Sequence, residues 1–465
     1  MGYFLFKLNP RQAHETLFPS ILNPAILAVM KAWLEKQFHL TAYGTTVRTE
    51  LIAGVTTFMT MAYILVVNPL ILSDAGMDRG AVFTATALSS ILAIVIMAFG
   101  ANLPFALAPG MGLNAFFVYT VCLGMGHTWQ FALTAVLLEG LIFIVLSFFH
   151  VREAILNSIP TNIKKAISVG IGLFIAFIGL VNAGIIVKPE APALLVQLGN
   201  LRSPGPVLTM LGLLLTGALL ARRIHGALLL GILAATVAGI PMGITRVPAD
   251  GMTLVSLPPA PHLFAFELDQ VFTLDMAVVL LTFLFVDMFD TVGTLIGVAN
   301  KAGRLDANGR LPEAKPALLA DAVGTVVGAC LGTSTVTSYV ESASGVAAGG
   351  RTGLTALATA GMFALALCFS PVFAMVPAAA TAPALILVGL FMMSPIKEVE
   401  LDDPTEAIPA FLTMVMMPLA YSIAEGILFG VIAYTALKAL TGKFRDIHPV
   451  TWVLTLLFLA KAVMP

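Results

Sequence analysis

Two stretches rich in Gly, Pro, Ser and Thr, 102-NLPFALAPGMGLNAFF-117 and 332-GTSTVTSYVESASGVAAGG-350, interrupt a chain that otherwise runs as one apolar helix after another. Apolar residues make up 59% of the chain and charged residues 11%, with a mean hydropathy of +0.98. A soluble domain carries roughly 25% charged residues, so this is the composition of a polytopic membrane protein. In lipid the backbone is severely constrained. A broken helix exposes N–H and C=O groups that hydrocarbon cannot satisfy, and breaks persist at membrane depth only where they line a protein cavity or hold a ligand. One break in each half of the chain is the mark of a repeat-built secondary transporter with its site near the midplane.

With about 20 residues needed per crossing, spans are expected near 51–72, 81–100, 106–123, 129–149, 164–183, 204–221 and 226–244, numbered here as segments 1–7. Segments 8–14 follow near 272–299, 316–331, 335–349, 353–370, 382–396, 406–421 and 423–440. If the N-terminus is cytoplasmic, only Arg79, Lys188, Arg202 and Arg246 of the 24 Lys and Arg residues fall outside. Fourteen segments with both termini cytoplasmic therefore satisfy the positive-inside rule. Seven segments per half is an odd number, so the second half enters the membrane from the opposite side. The expected fold is all-α, with two inverted repeats over 49–244 and 271–440.

The ends are expected to stay out of the bilayer. Residues 1–48 form a cytoplasmic region with an amphipathic stretch, 30-MKAWLEKQFHL-40, and Met30 is a candidate start. Residues 441–465 form a tail whose apolar part, 449-PVTWVLTLLFLAKAVMP-465, suits an interfacial helix. The net charge of −1 offers nucleic acid no electrostatic footprint. Cys122, Cys330 and Cys368 are odd in number and lie in apolar surroundings, so no disulfide framework is implied. No His/Cys metal spacing, nucleophile elbow or phosphate loop occurs, which argues against an enzyme and against a metal or cofactor.

Ionisable groups inside spans cost a few kcal/mol or more each and are candidate sites by default. Asp287, Asp290, Asp321 and Glu341 stand out, with Glu139 and Glu425 behind them. Asp287 and Asp290 are three apart, on one helix face, with Thr291 and Thr294 a turn further on. Their bland alternative is glue between helices, a carboxylate bonded to a neighbouring hydroxyl. For Glu341 the alternative is a capping box, Ser338-Tyr339-Val340-Glu341, at the start of a half-helix. The first break would start a matching half-helix near Asn114. Lys and Arg are confined to the ends of the spans, so the acid-rich interior suits a neutral hydrogen-bond donor or a cation, sodium included. Gly324/Gly328 and Gly426/Gly430 read as close-packing sites, and His127 as a loop residue.

The strings 45-TTVRTELIAGVTTFMTMAYILVVNP-69, 109-PGMGLNAFF-117, 287-DMFDTVGTLIGVANKAG-303 and 332-GTSTVTSYVESASGVAAGGRTGL-354 closely resemble the AzgA-like purine permeases. These are a branch of the nucleobase:cation symporter family that also contains the bacterial uracil permease. The resemblance, running from about Met30 to the C-terminus, implies 14 segments divided into a core and a gate, the gate near 164–244 and 382–440. It implies short extended stretches in segments 3 and 10, with the nucleobase held between them and segment 8. The family's two ligand carboxylates fall on Asp290 of 290-DTVG-293 and Glu341 of 339-YVE-341, and its segment-3 position near Asn114 and Ala115. Where the uracil permease has a histidine one turn after its segment-8 acid, this chain has Thr294.

The resemblance thus implies import of adenine or hypoxanthine/guanine across the inner membrane by proton symport, with elevator-like alternating access and homodimers among relatives. Asp290 and Glu341 are expected to accept the base's N–H groups. Asn114 and the backbone at Ala115 and Ser342 would complete its edge, with Phe116 or Tyr339 against a ring face. Charging a carboxylate away from water is costly, so Asp290 is the expected proton carrier, with Asp287 and Asp321 as rivals. The competing reading is an anion exchanger of the related sulfate-transporter fold, which the paired carboxylates disfavour.

Overall fold

The computed structural model describes residues 24–149, 160–189, 196–247, 254–306 and 310–463. Residues 1–23 and Arg152 lie outside these. Among the described residues nine helices are long and apolar enough to cross a membrane, and three apolar helices are shorter. The protein is thus a multi-pass membrane protein. Each expected interval coincides with a helix or with a strand followed by a short helix, most bounds agreeing within a few residues.

The two breaks share one backbone plan. Helix Arg79–Ile96 runs into a π-helical turn, Met97–Ala101, and stops at Asn102 in the left-handed region (φ 49°). Helix Ala314–Leu331 stops at Gly332, likewise left-handed (φ 89°). Asn and Gly are the residues that tolerate this conformation and end helices. An extended strand follows in each case, β1 (Leu107–Pro109) and β4 (Val336–Ser338), and then a half-helix, Met111–Ala115 prolonged by the π-helical stretch Phe116–Gly124, or Ser342–Ala347. The strands pair antiparallel with Leu107 opposite Ser338 and Pro109 opposite Val336. Each break therefore satisfies part of the other's exposed backbone, as lipid cannot. A second small pair, β2 (Ile186–Val187) and β3 (Gln197–Leu198), lies between segments 5 and 6.

Packing follows a two-fold rule in which a segment can be exchanged for the one seven places on. Segment 1 packs on segment 11 and segment 4 on segment 8. Segment 4 packs on segment 9 and segment 2 on segment 11. Segment 5 packs on segment 13 and segment 6 on segment 12. Segments 3 and 10 meet through their strands, and segments 5 and 12 through their helices. Two unrelated halves would not share such a contact pattern.

Close approach explains several glycines. A Cβ on Gly110 would sit 2.5 Å from Thr337 Cγ2, which would part β1 from β4. Gly324 lies against Ala93, and Gly426 and Gly430 against Met417 and Thr413, so both spaced pairs are packing sites.

Buried ion pairs and caps hold the helix ends. Glu50, fully buried, accepts from the backbone N–H of Arg351, Thr352 and Thr355 at 2.9–3.2 Å and from the Thr355 hydroxyl at 2.6 Å, capping helix Gly353–Leu367. Lys438, near the end of helix Ile423–Leu440, is buried and lies 2.7 Å from Glu406 and 3.7 Å from Asp446. The tail forms helix Pro449–Val463. It bonds the preceding helix through Thr455 and Thr435 at 2.7 Å and exposes Trp452, Val453, Leu456 and Leu459.

Candidate functional site

A cavity of about 840 Å³ lies along the seam where segments 1, 3, 8 and 10 face segments 5 and 12. Tyr63, Gly110–Gly112, Asp290, Val292–Gly297 and Thr337–Glu341 line one side. Ile167, Ser168, Ile171, Val388, Phe391 and Met392 line the other. The cavity reaches the surface near Lys164, Lys165 and the exposed Arg310. Lys165 is engaged there by the carbonyl of Glu398 at 2.9 Å and its carboxylate at 3.4 Å.

Asp290, Glu341, Tyr339 and Thr294 all meet in this cavity. Glu341 ends the extended stretch with helical backbone angles (φ −58°, ψ −22°), and its side chain makes no cap. The capping-box reading therefore fails. At these angles Glu341 is part of the turn and does not reach back to Ser338; instead Oε1 accepts the Tyr63 hydroxyl at 2.8 Å. Tyr63 stands at the joint between helices Val47–Met61 and Ile64–Ser73, where the N–H groups of Leu65 and Val66 bond three residues back. Sequence reasoning missed this residue. The signal was a tyrosine inside an apolar span five residues before an Asn-Pro pair, which says nothing of its partner 278 residues away.

Four expected contacts do not line the cavity. Asn114, Ala115 and Phe116 are fully buried. The carboxamide oxygen of Asn114 accepts from Ser334, and Phe116 packs edge-on against Phe283 at 4.8 Å. Ser342 is turned toward the first break, its hydroxyl accepting from the Ala106 N–H at 3.0 Å. The cause is geometric. The residues just before each half-helix meet the cavity, whereas Asn114 and Ser342 are turned toward the partner break and Phe116 toward segment 8.

Asp287 and Asp321 are fully buried behind the wall and meet at one hydroxyl. Thr291 lies 3.1 Å from Asp287 Oδ1, 2.9 Å from Asp321 Oδ1 and 2.8 Å from the hydroxyl of Thr337. Asp287 thus bonds a hydroxyl of its own helix, and it is Thr291, through Asp321 and Thr337, that joins segments 8, 9 and 10. Glu139 accepts from Thr335 at 2.6 Å, tying segment 4 to the residue just before β4.

The seam is shut at the end remote from Lys164. Tyr119 donates to Asp74 Oδ2 at 2.8 Å, and its ring meets Tyr421 edge-on at 5.6 Å. Phe174 packs on Tyr421 at 5.3 Å. Segments 1 and 3 thus join segment 5 and the turn before segment 14 in an aromatic plug. A cavity open at one end, plugged at the other and walled by two groups of helices is the geometry of a carrier caught on one side.

The sequence pattern of the permease family (Xan_ur_permease) matches residues 48–441. The chain belongs to this family. Among relatives of the permease, the adenine permease AdeP of Escherichia coli K12 is 45% identical over 92% of this chain and 96% of its own. The guanine/hypoxanthine permease PbuG of Bacillus subtilis 168 is 46% identical over 91% of this chain and 98% of its own. Among solved structures, the transmembrane domain of the cyanobacterial bicarbonate transporter BicA superposes with a TM-score of 0.64 at 16% identity, covering 83% of this chain and 97% of that one. That likeness concerns the fold alone. The permease is a membrane transporter and not an enzyme.

Proposed function

We propose that this permease imports purine nucleobases across the inner membrane by proton symport, with both termini cytoplasmic. The observation that carries the reading is the pair of carboxylates, Asp290 and Glu341, facing one cavity between two groups of helices. A purine edge alternates N–H donors with ring-nitrogen and carbonyl acceptors, and acceptor-only carboxylates suit its N–H groups. Relatives more than 40% identical are named for adenine and for guanine/hypoxanthine. In this proposal Asp290 and Glu341 clamp the base, Tyr63 holds Glu341, and Tyr339 and Thr294 border the ring. Asn114 and Ser342 act from behind by fixing the breaks together, and Phe116 by packing the first break on segment 8.

Transport follows if segments 1–4 and 8–11 slide as a core against segments 5–7 and 12–14, an elevator-like motion. The basic rim at Lys164, Lys165 and Arg310 corresponds to the cytoplasmic side under the positive-inside rule, so the cavity is inward-open. The plug at Tyr119, Phe174 and Tyr421 must part for the base to enter from outside. Asp290 takes up a proton there and releases it inside, with Asp287 and Asp321 linked to the same wall through Thr291 and Thr337. Association as a homodimer belongs to the same proposal.

One observation favours a second reading. Lys164, Lys165 and Arg310 also line the cavity, as an anion exchanger would want. They sit at its mouth, however, and Lys165 is engaged by Glu398. The test is uptake of labelled hypoxanthine in cells lacking their own purine permeases, competed with adenine, guanine, uracil and bicarbonate, with and without a protonophore. Protonophore-sensitive uptake blocked by purines alone supports purine:proton symport. Sodium-dependent uptake that ignores the protonophore would replace the proton, and exchange of bicarbonate would replace the purine.

A further inference from the structure

The second break is dense in hydroxyls, and nearly all of them are engaged. Between 333 and 342, Thr333 accepts from Asn68 at 2.9 Å, Ser334 donates to Asn114, and Thr335 donates to Glu139. Thr337 bonds Thr291 at 2.8 Å, Tyr339 donates to the Pro109 carbonyl at 2.5 Å, and Ser342 accepts from Ala106. Ser338 is the exception. Its hydroxyl has no partner among the described residues, the residue is 3% exposed, and it lines the cavity beside Glu341. A buried hydroxyl without a partner is rare in native structures and costs about 1–3 kcal/mol. Such a group is the expected position of a ligand atom.

The chemistry of the wall narrows what that atom is. Asp290 and Glu341 suit the ligand's N–H groups. Its acceptors need a donor, but the Tyr63 proton is committed to Glu341 and the Tyr339 proton to Pro109. Thr294 also lines the cavity but is only half-buried, so water can satisfy it. Ser338 is left as the dry side-chain donor on the cavity wall that also carries both carboxylates.

We infer that Ser338 contacts the transported base directly, donating its hydroxyl proton to a ring-nitrogen or carbonyl acceptor flanked by N–H groups that Asp290 and Glu341 accept. The inference rests on the purine reading above and adds a specificity-determining residue to it. A site that hydrogen-bonds a ligand atom rejects the analogue lacking it, because the site's own group is then stranded.

The test uses the full-length protein purified in detergent. Dissociation constants are measured for hypoxanthine, adenine, their 1-, 3-, 7- and 9-deaza analogues and unsubstituted purine, which lacks the 6-carbonyl, on wild type, Ser338→Ala and Ser338→Thr. The expected result for Ser338→Ala is roughly five- to fifty-fold weaker binding of the parent purines. For one analogue, the one whose nitrogen or carbonyl partner is missing, wild type and variant should bind equally. Ser338→Thr, which keeps the hydroxyl, should recover most of the affinity. The melting temperature of unliganded Ser338→Ala should equal or exceed that of wild type, whereas a structural role would lower it. Unchanged affinity, or equal weakening toward every analogue, overturns the assignment of Ser338 and leaves the purine reading standing. Wild-type protein that binds no purine overturns both.

Discussion

The two breaks use the same backbone device for different ends. Each begins at a left-handed residue, extends into a three-residue strand and re-enters a helix, and the strands pair with each other. The first break, around Leu107–Asn114, is apolar and buried, and its one polar side chain at the centre, Asn114, bonds Ser334. The second carries Thr337, Ser338, Tyr339 and Glu341 into the cavity wall. The carboxylates on the wall, Asp290 and Glu341, both belong to the second half of the chain. A two-fold fold thus lines its cavity unequally, the first break with glycines and an apolar side chain and the second with polar side chains. Gly110 and Gly112 fit that division, since a Cβ on either would strike Thr337 or Ile171.

This contrast is breakable by substitution. The largest effect is expected for Glu341→Gln, which removes a charged partner from the cavity wall and should cost about 2–5 kcal/mol of binding. Uptake at micromolar purine should vanish while membrane insertion persists, and wild-type affinity in this variant would sink the clamp. Next comes Tyr63→Phe, which strands one oxygen of Glu341. A hydrogen bond to a charged group is worth about 1.5–3 kcal/mol, so KM should rise roughly tenfold or more with little change in melting temperature.

In the first break the balance should reverse. Asn114→Ala loses the bond to Ser334 and should lower unfolding stability by about 1–2 kcal/mol, read as a drop in melting temperature, with purine affinity changed less than in Tyr63→Phe. A larger loss of affinity than of stability would mean that Asn114 meets the ligand in another state of the transport cycle. The smallest effect lies far from both breaks, at the cap of helix Pro404–Leu419. The Lys443 ammonium, then the backbone N–H and hydroxyl of Thr405, hold the exposed Asp403 carboxyl well below the usual range. A depressed acid contributes stability above its unfolded pKa and loses it as pH falls through the folded one. Melting temperatures of wild type and Asp403→Asn should therefore differ slightly and constantly from pH 7 to 5, and converge only in strong acid.

The residues that sequence reasoning recovered and those it missed divide by range. Asp290, Thr294, Tyr339 and Glu341 were legible because a polar group in an apolar run is costly wherever the run folds. Tyr63 was not, because a tyrosine is unremarkable in a span until Glu341 is known to face it. Ser338 was read as half of a capping box, a local pattern that the backbone at Glu341 does not adopt. Asn114 and Ala115 were expected at the ligand because the family's segment-3 position falls on them, and Phe116 and Ser342 because they adjoin that position and Glu341. The structure turns Asn114 and Ser342 into the packing between the breaks and Phe116 against Phe283 of segment 8, away from the cavity. Glu50, unremarked at the edge of segment 1, became a cap only once helix Gly353–Leu367 was set against it.

By itself the sequence determined the membrane class, the helical segments, the two breaks and the ionisable groups that must be accounted for within them. These follow from per-residue costs of hydration and from backbone preferences of Gly, Pro and Asn, which sum along the chain without reference to distant partners. Only the tertiary structure decided which side of each half-helix meets the cavity, which hydroxyls of the second break are spent on neighbours and which is left without a partner on the cavity wall. Those outcomes depend on the register of two strands more than 200 residues apart. Shifting a strand by one residue turns every side chain to the other face, and no local pattern in the sequence carries that information.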